Sequence, residues 1–220
     1  MNTSLQGIGM TSLRTRERMV KRLSEQGIGN QKVLEIMRDT PRHIFMDEAL
    51  ASRAYEDMAL PIGYNQTISQ PYIVAKMTEL LLGPSTHLGK VLEIGTGCGY
   101  QTAILAQLVD HVYTIERILP LQRKAKSHLG DLKFHNISYL YSDGNLGWPD
   151  YALYDGILAS AAPSEIPAQL LQQLAIGGVM IIPVGKTGQQ TLQRVTRRTS
   201  GYDIELIEAV TFVPFLSGKE

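Results

Sequence analysis

The sequence predicts an α/β sandwich in which a mostly parallel sheet carries helices on both faces and an N-terminal helical lobe packs beside it. Three observations predict it. Short apolar runs alternate with helical periodicity from Lys90 to Val184. A glycine-rich turn, Gly95–Gly99, joins the first of those runs to the next helix. Residues 11–89 hold helix patterns and one long connection but no strand run. With 220 residues the chain makes one large domain, or one domain with a small attachment.

Residues 1–10 lack periodicity and read as a loose extension. Leu13–Gln26 reads as a basic amphipathic helix ended by Gly27, with the run Arg14–Arg22 as a solvated face. Asn30 is placed to cap a second helix, Gln31–Asp39, which Pro41 stops. Residues 41–70 form a long connection without clear periodicity, and a connection of that length in a compact domain is often functional. Helical pattern resumes from Pro71 to Leu82 and closes at Gly83-Pro84.

The core, residues 90–220, starts with the apolar strand Val91–Ile94, the glycine turn, and a helix over Tyr100–Val109. Strand Val112–Glu116, helix Leu119–Leu129 and strand Ile137–Tyr141 follow. Next come strand Asp155–Ser160, helix Ile166–Ala175 and strand Val179–Val184, entered through a turn at Gly177-Gly178. Thr191–Arg197 and Ile204–Phe212 read as the last strands. The alternation makes the fold Rossmann-like.

Composition narrows the function. Hydrophobic residues are 44% and charged residues 19%, an ordinary globular balance. Twenty-one basic against 21 acidic residues argue against a dedicated nucleic-acid binder, which carries a basic excess. The single cysteine, Cys98, excludes an intramolecular disulfide or a cysteine-pair zinc site and fits a reducing compartment. The five histidines show neither H-x-H nor H-E-x-x-H spacing, so no metal site is expected. No signal-peptide run is visible, and the longest apolar stretch, Gly177–Val184, is far short of the roughly 20 residues that span a bilayer. A cytoplasmic protein is expected. Gly185-Lys186-Thr187 fails as a P-loop because Met180 stands where glycine is required.

Three features at successive strand ends carry the chemistry. Gly95-Thr96-Gly97-Cys98-Gly99 lies between strand and helix, where bare backbone and a helix N-terminus approach a ligand closely. Glu116 ends the second strand, where a carboxylate matches the two hydroxyls of a ribose. Asp143-Gly144 follows the third strand; it is also ordinary turn chemistry. A dinucleotide fingerprint would need glycine at Tyr100, which disfavours an NAD oxidoreductase. The pattern from Glu93 to Gly99 instead resembles the first motif of class I S-adenosylmethionine-dependent methyltransferases.

More of the chain resembles the protein-L-isoaspartate O-methyltransferase family. The resemblance is carried by Ala59–Gly63, Gln66–Tyr72, Val91–Gln101, Val112–Arg117, Gly147–Pro149, Ala159–Pro163, Ile182–Gly185 and Phe212–Pro214, and covers residues 11–215. Cys98, Ser142 and Ser160 depart from it, each by a small change.

The resemblance implies a class I methyltransferase sandwich and S-adenosyl-L-methionine as cofactor, leaving S-adenosyl-L-homocysteine. It implies isoaspartyl peptides and damaged proteins as substrates, Ser69 as the active-site residue, and no call for nucleic acid or membrane. Cofactor contacts are expected from Ile68, Gly95, Thr96, Gly97, Gly99, Glu116, Asp143 and Gly144. Acceptor contacts are expected from Thr67, Ile68, Ser160, Ala161, Val213 and Pro214, and the chain is expected to be a monomer. A methyltransferase of the same fold acting on a small molecule or RNA is the alternative.

Overall fold

A computed structural model describes residues 8–84 and 87–220. Of the N-terminal extension, residues 1–7 lie outside the described residues, and Gly9–Thr11 form a single 3₁₀ turn. Helix α1 spans Leu13–Glu25 and buries Arg16, Met19 and Leu23, one stripe at helical spacing. The basic run is therefore not all solvated. Arg16 is buried, and Arg22 Nη2 reaches in to donate to the Tyr55 carbonyl at 2.8 Å. Helix α2, Gln31–Asp39, starts where Asn30 Oδ1 accepts from the Val33 N–H at 3.2 Å, the cap the sequence predicts.

The connection over 41–70 holds more structure than its periodicity suggests. Two 3₁₀ turns, Arg42–Phe45 and Glu48–Arg53, lead into an antiparallel hairpin of β1 (Leu60–Gly63) and β2 (Gln66–Ile68). Its turn residues Tyr64 and Asn65 have φ of 53° and 54°, the left-handed pair that matches strand twist in a two-residue hairpin loop. Leu60 and Ile62 face the core and Pro61 and Gly63 face solvent. Helix α3, Pro71–Leu82, follows, with Pro71 in its first turn.

The remaining strands form one seven-stranded sheet: β3 (Leu88–Ile94), β4 (Val109–Glu116), β5 (Ile137–Tyr141), β6 (Tyr154–Ala159), β7 (Leu174–Val184), β8 (Gln190–Arg198) and β9 (Gly201–Val210). Their order is β5-β4-β3-β6-β7-β8-β9. The pairs from β5 through β7 are parallel, and β7·β8 and β8·β9 are antiparallel. From β3 the chain first builds outward through β4 and β5, then returns to β6 on the other side. The crevice beyond the C-terminal ends of β3 and β6 is thus a topological switch point, where ligands of open α/β sheets bind. No helix among the described residues is long and apolar enough to cross a membrane.

Helices α4 (Tyr100–Leu105), α5 (Leu119–Asp131) and α6 (Ala168–Gln172) complete the fold. Two of them are shorter than their sequence patterns. The α4 pattern runs into Val109, but Val109 already pairs with Leu88 in the sheet. The pattern over Ile166–Ala175 yields only five helical residues, because Leu174 pairs with Tyr154 and starts β7. Gly177-Gly178 is then a bulge inside β7 instead of its entrance. A Cβ at Gly178 would lie 2.9 Å from the carbonyl oxygens of Ala175 and Tyr154. The last strand ends at Val210, two residues before its pattern does. Phe212 leaves the sheet and exchanges hydrogen bonds with the Gln190 side chain, at 2.6 and 3.1 Å.

One apolar core joins the helical lobe to a face of the sheet, through Met19, Leu23, Phe45, Ile62, Leu81 and Val91 among others. A smaller core fills the opposite face under α6.

Candidate active site

The glycine turn is held from beneath by its own strand neighbours. The N–H groups of Gly95 and Thr96 both donate to the Ile115 carbonyl, at 2.8 and 3.2 Å. The Gly97 N–H donates to Glu116 Oε2 at 2.8 Å, and Glu116 Oε1 accepts from the Ile118 N–H at 2.9 Å. Burial raises the Glu116 pKa, and those backbone donors oppose the rise. Gly97 has φ of 54°, and a Cβ there would stand 3.5 Å from Ile62 Cδ1, so the hairpin leans directly over the loop.

A second carboxylate lies below. Glu93 is fully buried and Oε2 accepts from the Thr102 and Thr114 hydroxyls, each at 2.6 Å. The Thr96 and Thr114 hydroxyls are 2.6 Å apart, so Thr96, Thr114 and Glu93 form one chain. Glu93 Oε1 has no partner among the described residues, and burial pushes the Glu93 carboxyl up to about 7.

Two cavities meet at this loop. The first, about 660 Å³, is walled by Ile94, Gly95, Gly97, Ile115, Glu116, Ile118, Gly144 and Phe215. It continues past Ile62, Gln66 and Thr67 to Ser160, Ala161, Val213 and Pro214. The second, about 320 Å³, is lined by Thr67, Ile68, Ser69, Val74, Thr96, Cys98, Tyr100 and Gln101. Thr67, Gly95, Gly97 and Ser160 belong to both. The loop after β6 brings in the far wall: the Ser160 N–H donates to the Ile94 carbonyl, and Ala162 pairs with the Val213–Phe215 segment.

The structure brings most of the sequence-predicted residues to these walls. Gly95, Gly97, Glu116, Gly144, Thr67, Ser160, Ala161, Val213 and Pro214 line the first cavity. Ile68, Ser69 and Thr96 line the second. Gly99 and Asp143 line neither. A Cβ on Gly99 would press on Leu129 and Ala125 of α5, at 3.1 and 3.2 Å, so this glycine serves helix packing. Asp143 accepts from the Asn145 N–H, Asn145 Nδ2 and the Gly218 N–H. The Thr96 hydroxyl points down to Thr114.

Sequence reasoning passed over Ile62, Gln66, Arg117, Ile118, Phe215 and Leu216 as wall residues. Gln66 and Arg117 stand inside segments that carry the family resemblance, so a signal for them existed. Leu216 has no local pattern to find. It lies on a terminal segment, Phe215–Glu220, whose first two residues line the first cavity. Besides the Gly218–Asp143 bond, the Glu220 N–H donates to the Arg117 carbonyl at 2.7 Å, and Tyr141 and Leu119 donate to the Glu220 carbonyl. Arg117 Nη1 pairs with Glu220 Oε2 at 3.1 Å.

The walls fit S-adenosylmethionine. An apolar slot between Ile94, Ile115, Ile118 and Phe215 suits a flat base. Glu116, the buried carboxylate at its edge, uses one hydrogen bond per oxygen and keeps lone pairs for a ribose diol.

Comparison with known proteins agrees. The family model described as protein-L-isoaspartate(D-aspartate) O-methyltransferase matches residues 14–220. A protein-L-isoaspartate O-methyltransferase of Cellvibrio japonicus (strain Ueda107) is 61% identical over 219 residues, 99% of this chain and 98% of the relative. That of Saccharophagus degradans is 56% identical over 216 residues, 97% of this chain and 96% of the relative. A solved protein-L-isoaspartate O-methyltransferase superposes with a TM-score of 0.81 at 24% identity, over 90% of this chain and 65% of that one. A Plasmodium falciparum structure solved in complex with S-adenosyl-L-homocysteine gives 0.77 at 23% identity, over 91% and 98% of the two chains. The chain belongs to the protein-L-isoaspartate(D-aspartate) O-methyltransferase family, S-adenosylmethionine-dependent enzymes that methylate isoaspartate in protein repair.

Proposed function

We propose that the first cavity holds S-adenosylmethionine, that the second admits the acceptor peptide, and that methyl transfer takes place where they share Thr67, Gly95, Gly97 and Ser160. That shared wall is the observation that carries the reading. The helical lobe, residues 11–89, brings Thr67, Ile68, Ser69 and Val74 to the acceptor side, and residues 90–220 supply the rest of that side and most of the cofactor side.

When bound, S-adenosylmethionine supplies an electrophilic methyl on a sulfonium. The chain's residues hold the two reactants in line. The acceptor is the free α-carboxylate of an L-isoaspartyl residue, and a D-aspartyl residue presents a similar group. Carboxylates have a pKa near 4, so the acceptor reaches the site already ionised and no general base is required. Ser69 lines the acceptor cavity, and among the described residues its hydroxyl has no hydrogen-bond partner. It is therefore free to donate to a carboxylate oxygen and hold it at near-attack distance, on the order of 3–3.5 Å. Glu116 takes the ribose hydroxyls, and the Gly95–Gly97 backbone lets the cofactor approach without a Cβ in the way. Asp143 accepts three hydrogen bonds and keeps acceptor capacity for the adenine amino group. Ile68 forms an apolar wall for the peptide in the second cavity, and Ala161, Val213 and Pro214, expected as acceptor contacts, line the first cavity instead, on the side of the shared Ser160. The methyl ester closes to a succinimide with loss of methanol, and ring hydrolysis returns part of the material to aspartate.

The working protein is read as a cytoplasmic monomer acting on damaged proteins and peptides. The balance of 21 basic and 21 acidic residues favours peptide over nucleic acid. The deciding experiment is transfer of labelled methyl from S-adenosylmethionine to matched isoaspartyl and aspartyl peptides. Label is expected on the isoaspartyl peptide alone. Label on a small molecule or RNA with neither peptide modified would overturn the reading.

A further inference from the structure

Behind the cofactor loop, the helical lobe buries a cation with no ion-pair partner among the described residues. Arg42 is fully buried. Its Nε donates to the Ala54 carbonyl at 2.8 Å, and its guanidinium carbon lies 4.9 Å from the centre of the Tyr100 ring. Both Nη atoms have no hydrogen-bond partner among the described residues, and neither has the buried Tyr100 hydroxyl. A second cation stands close by: Arg22 donates to the carbonyl of Tyr55, which follows Ala54.

A guanidinium keeps its proton in a protein, and burying it without an anion is among the costliest arrangements a fold can hold. The Tyr100 ring offsets only part of that cost. Among the described residues no carboxylate forms an ion pair with Arg42. The carboxylate that acts on Arg42, Asp57, is committed elsewhere: it accepts from Gln26 Nε2 and the Tyr72 N–H. The other acidic groups facing Arg42 are Cys98, Tyr55 and Tyr100, and burial raises the pKa of all three, so each stays neutral.

We propose that this interior binds one small monovalent anion of the halide class, held by the two Nη groups of Arg42 and the Tyr100 hydroxyl. Few donors in full enclosure suit a halide; an oxyanion would bring further acceptor oxygens with nothing there to satisfy them. Tyr100 opens the helix that follows Gly95–Gly99 and also lines the second cavity, so a filled site braces the start of the helix that carries the cofactor loop.

Crystals of the full chain soaked in bromide test this directly. An anomalous peak within hydrogen-bond distance of Arg42 Nη and the Tyr100 hydroxyl is expected. A water there at saturating bromide, or halide peaks at surface positions only, overturns the proposal. In solution, replacing gluconate by bromide at constant ionic strength should raise the wild-type Tm, growing with the logarithm of bromide concentration once the site fills. Tyr100→Phe keeps the ring and loses one donor, and should need several-fold more bromide for the same rise. Arg42→Met should show no rise. If Arg42→Met does not fold, the Tyr100→Phe titration and the anomalous map still decide, and a bromide response equal in wild type and Tyr100→Phe counts against the site.

Discussion

Ser69 has no structural duty that competes with a role in the reaction. The cap position of α3 belongs to Gln70, and no side chain caps that helix. Ser69→Ala is therefore expected to leave stability within about 0.5 kcal/mol while cutting turnover roughly 10–1,000-fold, since misplacement of a reactant alone costs about a hundredfold. Single-turnover kinetics with thermal melting on the same variant checks both halves; an unchanged transfer rate would remove Ser69 from the site. Glu116→Gln should weaken S-adenosylhomocysteine by about 1–2 kcal/mol, the scale of a charge-assisted hydrogen bond. Calorimetry reads that loss, and turnover at saturating cofactor should hardly move because the ribose is remote from the methyl. Glu93 gives a pH signature. Its pKa is raised from 4.5 to about 7 in the folded chain, so between those values the native state binds more protons than the unfolded one. Stability from this group is present below pH ~4.5 and is lost as pH rises through ~7, by up to about 3 kcal/mol. Urea unfolding across that range should show the decline in wild type and a flatter profile in Glu93→Gln.

Among the elements, the β1–β2 hairpin shows where sequence reading stops. Leu60 and Ile62 are only two inward positions, Pro61 interrupts the run, and Tyr64-Asn65 is not the Asn-Gly or Asp-Gly pair that announces a two-residue turn. The turn is imposed by packing: Ile62 and Ile68 are buried in the core beside the cofactor loop. Tyr64 accepts a left-handed conformation that bulky residues avoid, and half of it is exposed. Tyr64→Asn should therefore raise stability by about 0.5–1 kcal/mol, seen as a small upward shift in Tm with transfer activity retained. The parallel strands, in contrast, are legible because both faces are covered, which makes them continuous apolar runs. The short α6 and the bulge at Gly177-Gly178 were hidden for the opposite reason. Helical spacing over Ile166–Ala175 is local, and the pairing of Leu174 with Tyr154 that overrides it is not.

At the scale of the whole molecule, the site is assembled from six stretches far apart in sequence: the hairpin with the start of α3, the glycine turn, the end of β4, Gly144 after β5, the loop after β6 and the segment Val213–Leu216. Glycines and acids at strand ends announce the second, third and fourth of these. The first, the fifth and Val213-Pro214 were reached through family resemblance, and Leu216 through neither. The terminal segment Phe215–Glu220 has a kinetic consequence. Phe215 and Leu216 wall the cleft, and hydrogen bonds from Gly218 and Glu220 tie it to the turn after β5 and the start of α5. Removing residues 217–220 should speed S-adenosylhomocysteine dissociation by roughly tenfold or more, the effect of about 1.4 kcal/mol; stopped-flow displacement measures it, and an unchanged rate would mean the segment only rests there. On the proposed assignment the peptide reaches Ser69 from the other cavity and does not cross this tie. The enzyme would then have two doors, only one of them latched. A crowd of damaged protein at the open door would not hurry the exit of spent cofactor through the other, and where that exit is the slowest step, throughput under heavy damage would follow residence time rather than encounter.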